Sequence, residues 1–337
     1  MGVGMLGYLG VGVESSGGTS GNSGVAVCDF IPIISENLAT TPNPIESQGV
    51  RAQWDIQKAY NGLQTVGGNV SVEIHPDHFG YFMRSFFDTS TTDFAPTSNA
   101  NFRAHRFIAA NGQFQAGSGS DVPTLSFEVY RGPAQSQSTT PSSAFFYWGN
   151  ACNVFEVTME AGQLLRASMD YLGRDFVRKA GSTATFAAAD AFLWSSCSLS
   201  VAGVAGTVFE SITIRGNNNL EQVPKLDGRL RPDLIKRNNF RKMEINGRLS
   251  FQRDSDFDTF LAGSEAPMKI FFITSSKSIF FDIPSFRYLT FPLGIQGPGR
   301  ISVDFTGGAY LNTGSGNSMT VTVVNTRISP FIVNTSA

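Results

Sequence analysis

Two stretches of this chain show the same change of hydrophobic pattern, from the alternation of a strand to the spacing of a helix. In GNVSVEIHPDHFGYFMR (68–84), apolar and polar residues alternate after a glycine, which is typical of a strand with one buried face. Phe79, Phe82 and Met83 then follow at the i, i+3, i+4 spacing of one helix face. The stretch EINGRLSFQRDSDFDTFLAG (244–263) has the same order, so we predict two strand–turn–helix units.

An aspartate stands before each helical spacing, at the position where an N-cap side chain accepts hydrogen bonds from the first backbone N–H groups of a helix. We therefore predict that Asp77 and Asp256 cap the two helices. The two turns, HPDH and RDSD, share little chemistry beyond that aspartate, so we interpret them as caps and not as a site.

Three further pairs of stretches resemble each other, and they occur in the same order in both halves of the chain. Each pair places similar residues at the same spacing, such as Asn-Leu after an apolar strand. The pairs are FIPIISENLATTP (30–42) with ITIRGNNNLEQVP (212–224), ASMDYLG (167–173) with ISVDFTG (301–307), and SLSV (198–201) with SMTV (318–321). Several weak matches in one order favour an internal duplication over chance.

The duplication divides the chain into two β-rich units, predicted over 25–208 and 209–337. Residues 1–24 include a Gly- and Ser-rich stretch and are predicted to form a flexible arm. Two segments of the first unit, about 88–120 and 131–144, are rich in Ser, Thr, Pro and Asn and are predicted to be surface-loop insertions. The predicted fold is mainly β, with two tandem modules that each carry one short α-helix.

The composition agrees with a β protein that has a substantial core, because 29 of the 337 residues are Phe and only 15% are charged. A net charge of −2 argues against a general nucleic-acid binder, which needs a basic face. The three cysteines show no C-x-x-C spacing, which favours a reducing compartment over a disulfide framework. No Lys or Arg precedes Arg51, so we expect neither a signal peptide nor a membrane stage.

Two motifs could indicate a cofactor or a metal, and we predict neither. GVGMLG (2–7) fits G-x-G-x-x-G, but a nucleotide site needs a strand before this motif. His75 and His78 form H-x-x-H, but the remaining histidine, His105, falls in a predicted insertion loop. We interpret the histidine turn as a solvated turn that precedes a helix.

Carboxylates on predicted strands leave one enzymatic alternative open. A pair of them could act as the acid and the nucleophile of a glycosidase, in a β-rich two-domain carbohydrate-active hydrolase. These carboxylates are Glu73, Glu128, Glu156, Glu160, Asp170 and Asp304. Asp170 and Asp304 occupy equivalent positions in the two copies, so we expect structural or surface carboxylates and no enzyme.

One basic run, KLDGRLRPDLIKRNNFRK (225–242), could bind nucleic acid, but it lacks interleaved aromatic residues. It fills the loop before the second strand–turn–helix unit, and GVRAQWDIQKAY (49–60) fills the same place in the first copy. We favour a loop that contacts another subunit by pairing with acidic neighbours. The predicted subunit-contact residues are Arg51, Arg229, Arg231, Lys236 and Arg237.

In order, these features resemble the tail tube proteins of long-tailed bacteriophages, in their larger single-chain form. The resemblance rests on GYLGVGVESSGGTSG (7–21), the Asn-Leu turn, the loop with GVRA or DGRLRP, and the two strand–turn–helix units, and it extends over essentially the whole chain. It implies β-sandwich or barrel modules flanked by a short helix. Such modules form rings that stack into a tube, through whose lumen DNA passes during ejection.

The resemblance also implies a setting and partners. Three two-module chains would supply the six modules of a pseudo-six-fold ring, with residues 1–24 and 88–120 as candidates for contacts between rings. The expected partners are further copies of the chain, a tape-measure protein, a tail terminator and distal tail or baseplate proteins. We expect the protein in the virion tail, and in the host cytoplasm during assembly. Another viral structural protein, of a head decoration or a baseplate, is an alternative.

The physics of a DNA-conducting lumen predicts its wall. Basic walls would hold the phosphates, whereas a neutral to acidic wall does not retain DNA. The polar residues of the two repeated strands fit such a wall. The predicted lumen-facing residues are Ser71, Glu73, Ser250 and Gln252.

Overall fold

The computed structural model describes most of the chain, and every structural statement below concerns the described residues. They are residues 7–14, 29–49, 54–56, 58–87, 89–94, 102–110, 122–132, 144–186, 190–205, 208–252, 254–274, 277–294 and 300–327. Strands dominate these residues and two α-helices accompany them, which confirms the mainly-β prediction. Both predicted strand–turn–helix units are present.

The first half of the chain contains thirteen strands and one helix. Their order is β1 (Tyr8–Val13), β2 (Asp29–Ile31), β3 (Ser35–Glu36), β4 (Ala39–Pro42), β5 (Ile45–Glu46), β6 (Ala59–Tyr60), β7 (Gln64–Glu73), α1 (Phe79–Phe86), β8 (Thr89–Phe94), β9 (Arg103–Ala110), β10 (Thr124–Tyr130), β11 (Ala144–Glu160), β12 (Arg166–Gly173) and β13 (Asp175–Lys179).

The second half begins with a 3₁₀ turn (Trp194–Ser196) and contains ten strands and one helix. Their order is β14 (Cys197–Val201), β15 (Val204–Ala205), β16 (Phe209–Asn217), β17 (Leu220–Val223), β18 (Leu234–Arg237), β19 (Lys242–Ser250), α2 (Asp254–Ala262), β20 (Ala266–Thr274), β21 (Lys277–Thr290), β22 (Ser302–Ala309) and β23 (Asn317–Asn325).

The two halves repeat one order of strand pairing. One sheet runs β2–β1–β10–β11–β13 in the first half and β15–β14–β20–β21–β23 in the second. A second sheet runs β4–β7–β12–β11 in the first half and β16–β19–β22–β21 in the second. The long strand of each half, β11 or β21, contains a register shift and belongs to both sheets. Each half is therefore a pair of sheets that share one long, bent strand.

The stretches that the sequence comparison aligned meet in the same cross-strand register in both halves. The matched pairs are Gly68–Tyr171 and Gly247–Phe305, Val70–Met169 and Leu249–Val303, and Ser71–Ser168 and Ser250–Ser302. The Asn-Leu match does not share this equivalence, because Ser71 O accepts a hydrogen bond from Ile34 N close to Asn37, whereas Ser250 N donates to Val208 O, far from Asn219.

Two segments predicted as an arm and a loop contain strands of the sheets. Residues 8–13 form β1, which is paired on both sides and buries Leu9 and Val11 completely, so the prediction of a flexible arm is wrong for them. The predicted insertion 88–120 contains the β8–β9 hairpin, and β9 extends the second half's sheet by pairing with β23. Residues 1–6 and 15–24 of the arm, residues 111–121 and residues 133–143 lie outside the described part of the chain.

The two helices differ in burial because their sequences differ in apolar content. The sequence of α1, FGYFMRSF, is apolar on most sides, and all of its residues are buried between the sheets. The sequence of α2, DSDFDTFLA, has no buried residue. Phe257 and Phe260 of α2 pack against Phe291 at the edge of the core. One continuous core therefore extends across both halves, with α1 inside it and α2 at its margin.

Candidate polar face and interface between the two halves

One sheet passes without interruption from the first half to the second, in the order β4–β7–β12–β11–β16–β19–β22–β21. Alternate residues of these strands point into the core, and the residues between them form what we call the polar face. Its charged residues are Glu73, Glu156, Glu160, Asp170, Glu244 and Asp304, with Arg166, Arg215, Lys242, Arg248 and Arg287. Carboxylates outnumber cations, so the polar face is not basic.

Opposite charges alternate across neighbouring strands of the polar face. Arg215 of β16 lies in register between Glu156 of β11 and Glu244 of β19. Arg248 Nε lies 3.7 Å from Asp304 Oδ1 on the adjacent strand. Each directly opposite pair of unlike charges contributes about 0.2–1 kcal/mol to a sheet. The charges are thus arranged to compensate each other locally.

The predicted lumen-facing residues have different positions relative to this face. Ser71 and Glu73 lie on it and are half-buried. Ser250 has the register of the face but is only 6% exposed, and Gln252 is exposed but follows the end of β19. A lumen-facing position stays a prediction for all four residues. The contributions of β11 and β16 were missed because their pairing across the two halves leaves no local pattern in the sequence.

The two halves also meet through the β17–β18 hairpin, which belongs to the second half but covers the first. Leu220 and Ile235 of this hairpin are buried in one small cluster with Val122 and Ala151 of the first half, and Leu172 packs against them. We call this contact, together with the β11–β16 pairing, the internal seam.

Polar contacts fix the position of the hairpin at the internal seam. Gln222 Nε2 donates to the carbonyl oxygens of Val66 at 2.8 Å and Gly173 at 2.6 Å. Gln64 N of the first half donates to Leu230 O at 2.6 Å. These bonds satisfy backbone groups at the start of β7 and at the end of β12, so the hairpin is docked in one defined register.

Arg229, Arg231 and Arg237, three of the predicted subunit-contact residues, pair within this chain. Arg231 binds Asp175 of the first half, Arg229 Nη1 lies 3.7 Å from Asp233 Oδ1, and Arg237 Nη2 donates to Asn218 Oδ1 at 3.1 Å. Lys225 binds Asp233 and, as the largest cause, lowers the pKa of its carboxyl. Lys236 forms part of β18, and Arg51 lies outside the described residues. Contact with a second subunit stays a prediction for all five.

The predicted helix caps are wrong. The N-cap of α1 is His78, whose side chain makes no capping hydrogen bond, and the Asp77 carboxylate instead accepts a 2.6 Å bond from Lys277 Nζ. Asp256 is the third residue of α2, because this helix begins at Asp254. Its negative charge in the first turn still favours the helix through the helix dipole. Arg253 precedes α2 and lies outside the described residues.

The histidine turn is buried, which corrects the interpretation of a solvated turn. His78 is only 2% exposed, and burial lowers the pKa of its imidazole. Burial likewise lowers the pKa of His105, whose Nε2 lies 3.2 Å from Asn325 Oδ1. Within the described ranges, no cluster of three or more His, Cys, Asp or Glu residues is suited to a metal ion.

We expect the buried histidines to make stability depend on pH. Because the folded state lowers the imidazole pKa, the unfolded chain binds protons more readily, and the free energy of unfolding falls as the pH drops through about 6.5. His105→Gln removes one of these groups, so its stability should fall less between pH 7 and 5 than that of the parent chain. Thermal unfolding of the variant and the parent chain at several pH values measures how strongly the stability of each depends on pH. An equal pH dependence in the two proteins would contradict this prediction.

Asp304 and Glu156, two of the carboxylates weighed for the hydrolase alternative, lie too far apart to act as a glycosidase pair. Asp304 and Glu156 lie three strands apart on the polar face, about 14 Å at the usual strand spacing. Catalytic carboxyl groups lie about 5–10 Å apart. Glu128 is fully buried and accepts hydrogen bonds from Tyr8 and Ser182. The geometry therefore favours structural roles for these three residues.

Comparisons with known proteins identify the family. Among the described residues, neither helix is long and apolar enough to cross a lipid bilayer. No curated protein was found to match the sequence. A family model described as phage tail tube protein matches residues 4–309, nearly the whole chain. The chain therefore belongs to the phage tail tube protein family and is a structural protein of the bacteriophage virion tail, where it assembles with copies of itself and with other tail proteins.

Proposed function

We propose that three copies of this chain close into a ring of six pseudo-equivalent modules, and that the rings stack into a hollow tube through which double-stranded DNA passes during ejection. The observation that carries this proposal is the repeated order of strand pairing in the two halves. Two similar modules per chain allow three chains to form a ring with six similar positions. Closure would also pair sheet edges that a single chain leaves open.

The strand pairing supports a module boundary earlier than the sequence pattern suggested. β14 has the same place in the second half as β1 has in the first, because each pairs with the strand that pairs on its other side with the long strand, β10 with β11 and β20 with β21. We therefore place the boundary between β13 and β14, and not at residues 208 and 209. The first module then includes residues 8–13 as its first strand.

The polar face is the surface that we assign to the lumen wall. Its compensated charges and small excess of carboxylates give DNA phosphates no dense row of cations to bind, so the DNA can slide. The tape-measure protein, the tail terminator and the distal tail or baseplate proteins remain the proposed partners. Assembly in the host cytoplasm is part of the same proposal.

Negative-stain electron microscopy of the concentrated purified protein tests the proposed assembly. We expect rings or rods with a central hole, and a mass per ring of three chains by native mass spectrometry. The same sample at low concentration serves as the control, since its monomers should assemble when concentrated. A monomer that persists at every concentration, also with the other tail proteins present, would refute the proposal.

A further inference from the structure

We propose that the β5–β6 hairpin of one copy of this chain docks on the β21–β22 end of a neighbouring copy, and that this contact repeats the internal seam between two chains. The inference rests on the proposed assembly of several copies. It names the surfaces that meet and the kind of contact that joins them.

The β5–β6 and β17–β18 hairpins occupy the same place in the two halves. Each hairpin follows the first strand of the second sheet of its half, β4 or β16, and leads back to the neighbouring strand of that sheet, β7 or β19. Each begins with an aliphatic residue, because Ile45 opens β5 and Leu220 opens β17. The two hairpins therefore present corresponding residues to whatever lies beside them.

The two hairpins differ sharply in burial. Leu220 is 7% exposed because the first half of the same chain covers it, whereas Ile45 is 61% exposed. Trp54, Ile56 and Tyr60 of the first hairpin segment are also exposed, and Trp54 is exposed completely. A group of exposed apolar residues that includes tryptophan is typical of a protein–protein contact. The β5–β6 hairpin thus presents apolar residues as the β17–β18 hairpin does, but in the described structure these residues are exposed.

A matching surface is open at the other end of the chain. At the internal seam, the second hairpin covers Ala151 and Leu172, which pair with each other across β11 and β12. The corresponding pair in the second half is Thr290 with Thr306, and both are exposed.

Exposed apolar residues surround this uncovered pair. Leu289 precedes Thr290 and is 50% exposed, and Tyr310 and Leu311, which directly follow β22, are exposed to a similar degree. This surface has the apolar content that the first hairpin needs in a partner.

The position of the two surfaces indicates a contact between different copies. The hairpin leaves β4 and the uncovered surface lies on β21 and β22, and β4 and β21 are the opposite ends of the eight-strand sheet. Different surfaces at the two ends make a head-to-tail contact, which closes into a ring when the rotation between copies permits. The occupant of each surface is therefore a second copy of this chain.

Cysteine cross-linking tests the contact directly. In a chain that carries Cys28→Ser and Cys197→Ser, we combine Ile45→Cys with Leu289→Cys and add a bis-maleimide with a spacer of roughly 10 Å, about the distance between packed sheets. Assembled protein should give a ladder of covalent oligomers that stops at the number of chains in one ring. Ile45→Cys with Ile273→Cys is the matched control, because Ile273 is equally exposed but lies at the far end of β20.

The outcomes separate this inference from the proposed function. Rings or tubes that form without the Ile45–Leu289 ladder, or with an equally strong control ladder, would overturn the docking contact and leave the proposed function standing. Failure of the parent chain to assemble would overturn both.

A second variant tests how much the contact contributes to the free energy of assembly. Trp54→Ser should raise the protein concentration needed for assembly by at least about tenfold, the effect typical of a tryptophan at the centre of an interface. Its monomer should stay as stable as the parent, since Trp54 is fully exposed in it. Phe240→Ser removes another strongly exposed aromatic ring and should assemble at the parent's concentration. Equal assembly of the Trp54 variant and the parent would overturn the proposal.

Discussion

Replacing Phe155 with alanine is expected to lower the free energy of unfolding by about 3–5 kcal/mol, the range typical of a phenylalanine removed from a packed core. Phe155 lies on β11, is fully buried, and packs edge-on against Phe86 of α1 with ring centroids 4.6 Å apart. Phe87 lies 6.0 Å away on the same side. The ring therefore joins the buried helix to the strand that connects the two halves.

The cavity left by this substitution should not close easily. Gly216 of the neighbouring strand β16 approaches the ring so closely that a Cβ atom there would lie 2.3 Å from Phe155 Cε1. Because the backbone at Gly216 is held by pairing with β11 and β19, it cannot move to fill the space. The packing contacts that the ring loses then lower the free energy of unfolding in addition to the loss of its buried apolar surface.

Chemical denaturation of the dilute monomer measures the effect. Phe240→Ala removes an 85% exposed ring and should change the free energy of unfolding by less than about 0.5 kcal/mol. A Phe155 variant that loses no more stability than this control would show that the contact between α1 and β11 does not support the core.

Replacing Glu128 with alanine is expected to lower the free energy of unfolding by about 1–3 kcal/mol, because it removes the acceptor of several hydrogen bonds inside the fold. Glu128 is 0% exposed. Its carboxylate accepts bonds from Tyr8 Oη at 2.8 Å and from Ser182 N at 2.6 Å, and Lys179 Nζ lies 3.6 Å from Oε2. One carboxylate therefore holds the first strand and the segment after β13 onto β10.

The Glu128 carboxylate also explains why the stability of β1 depends on a residue far away in the sequence. Burial, with the help of Glu128, raises the pKa of Tyr8, so its hydroxyl stays protonated and available as a donor. Without the carboxylate, Tyr8 keeps only the Ser182 carbonyl oxygen as an acceptor among the described residues. We expect β1 to open before the rest of the sheet.

Hydrogen exchange and chemical denaturation together test this expectation. Glu128→Ala should increase exchange in residues 8–13 more than in β7 or β12, and Glu128→Gln should have a smaller effect since it keeps the shape and one acceptor. Glu160→Ala, which removes an exposed carboxylate, is the control. Unchanged protection of β1 in the Glu128→Ala variant would contradict the role assigned to this carboxylate.

Local patterns predicted those elements whose burial depends on their own sequence. The strand at 68–84 was predictable because one face of its sheet packs on the core, which produces a period of two residues, and the helix was predictable because Phe79, Phe82 and Met83 follow a period of 3.6 residues. The two predicted helix caps were wrong because sequence periodicity does not report single hydrogen bonds. A cap depends on single hydrogen bonds, and Asp77 instead pairs with Lys277, which is two hundred residues away in the chain.

The sequence by itself determined the mainly-β class, the family and the repeated strand–turn–helix order, because these follow from composition, periodicity and the order of motifs. Only the tertiary structure decided which edges meet: β11 with β16, β9 with β23, and the β17–β18 hairpin on the first half. Such contacts depend on where a folded sheet leaves its edges and apolar surfaces, and sequence periodicity reports only the residues along one strand. For that reason Ile45 and Leu220 look alike in sequence, and only the fold shows that one is covered and the other is open.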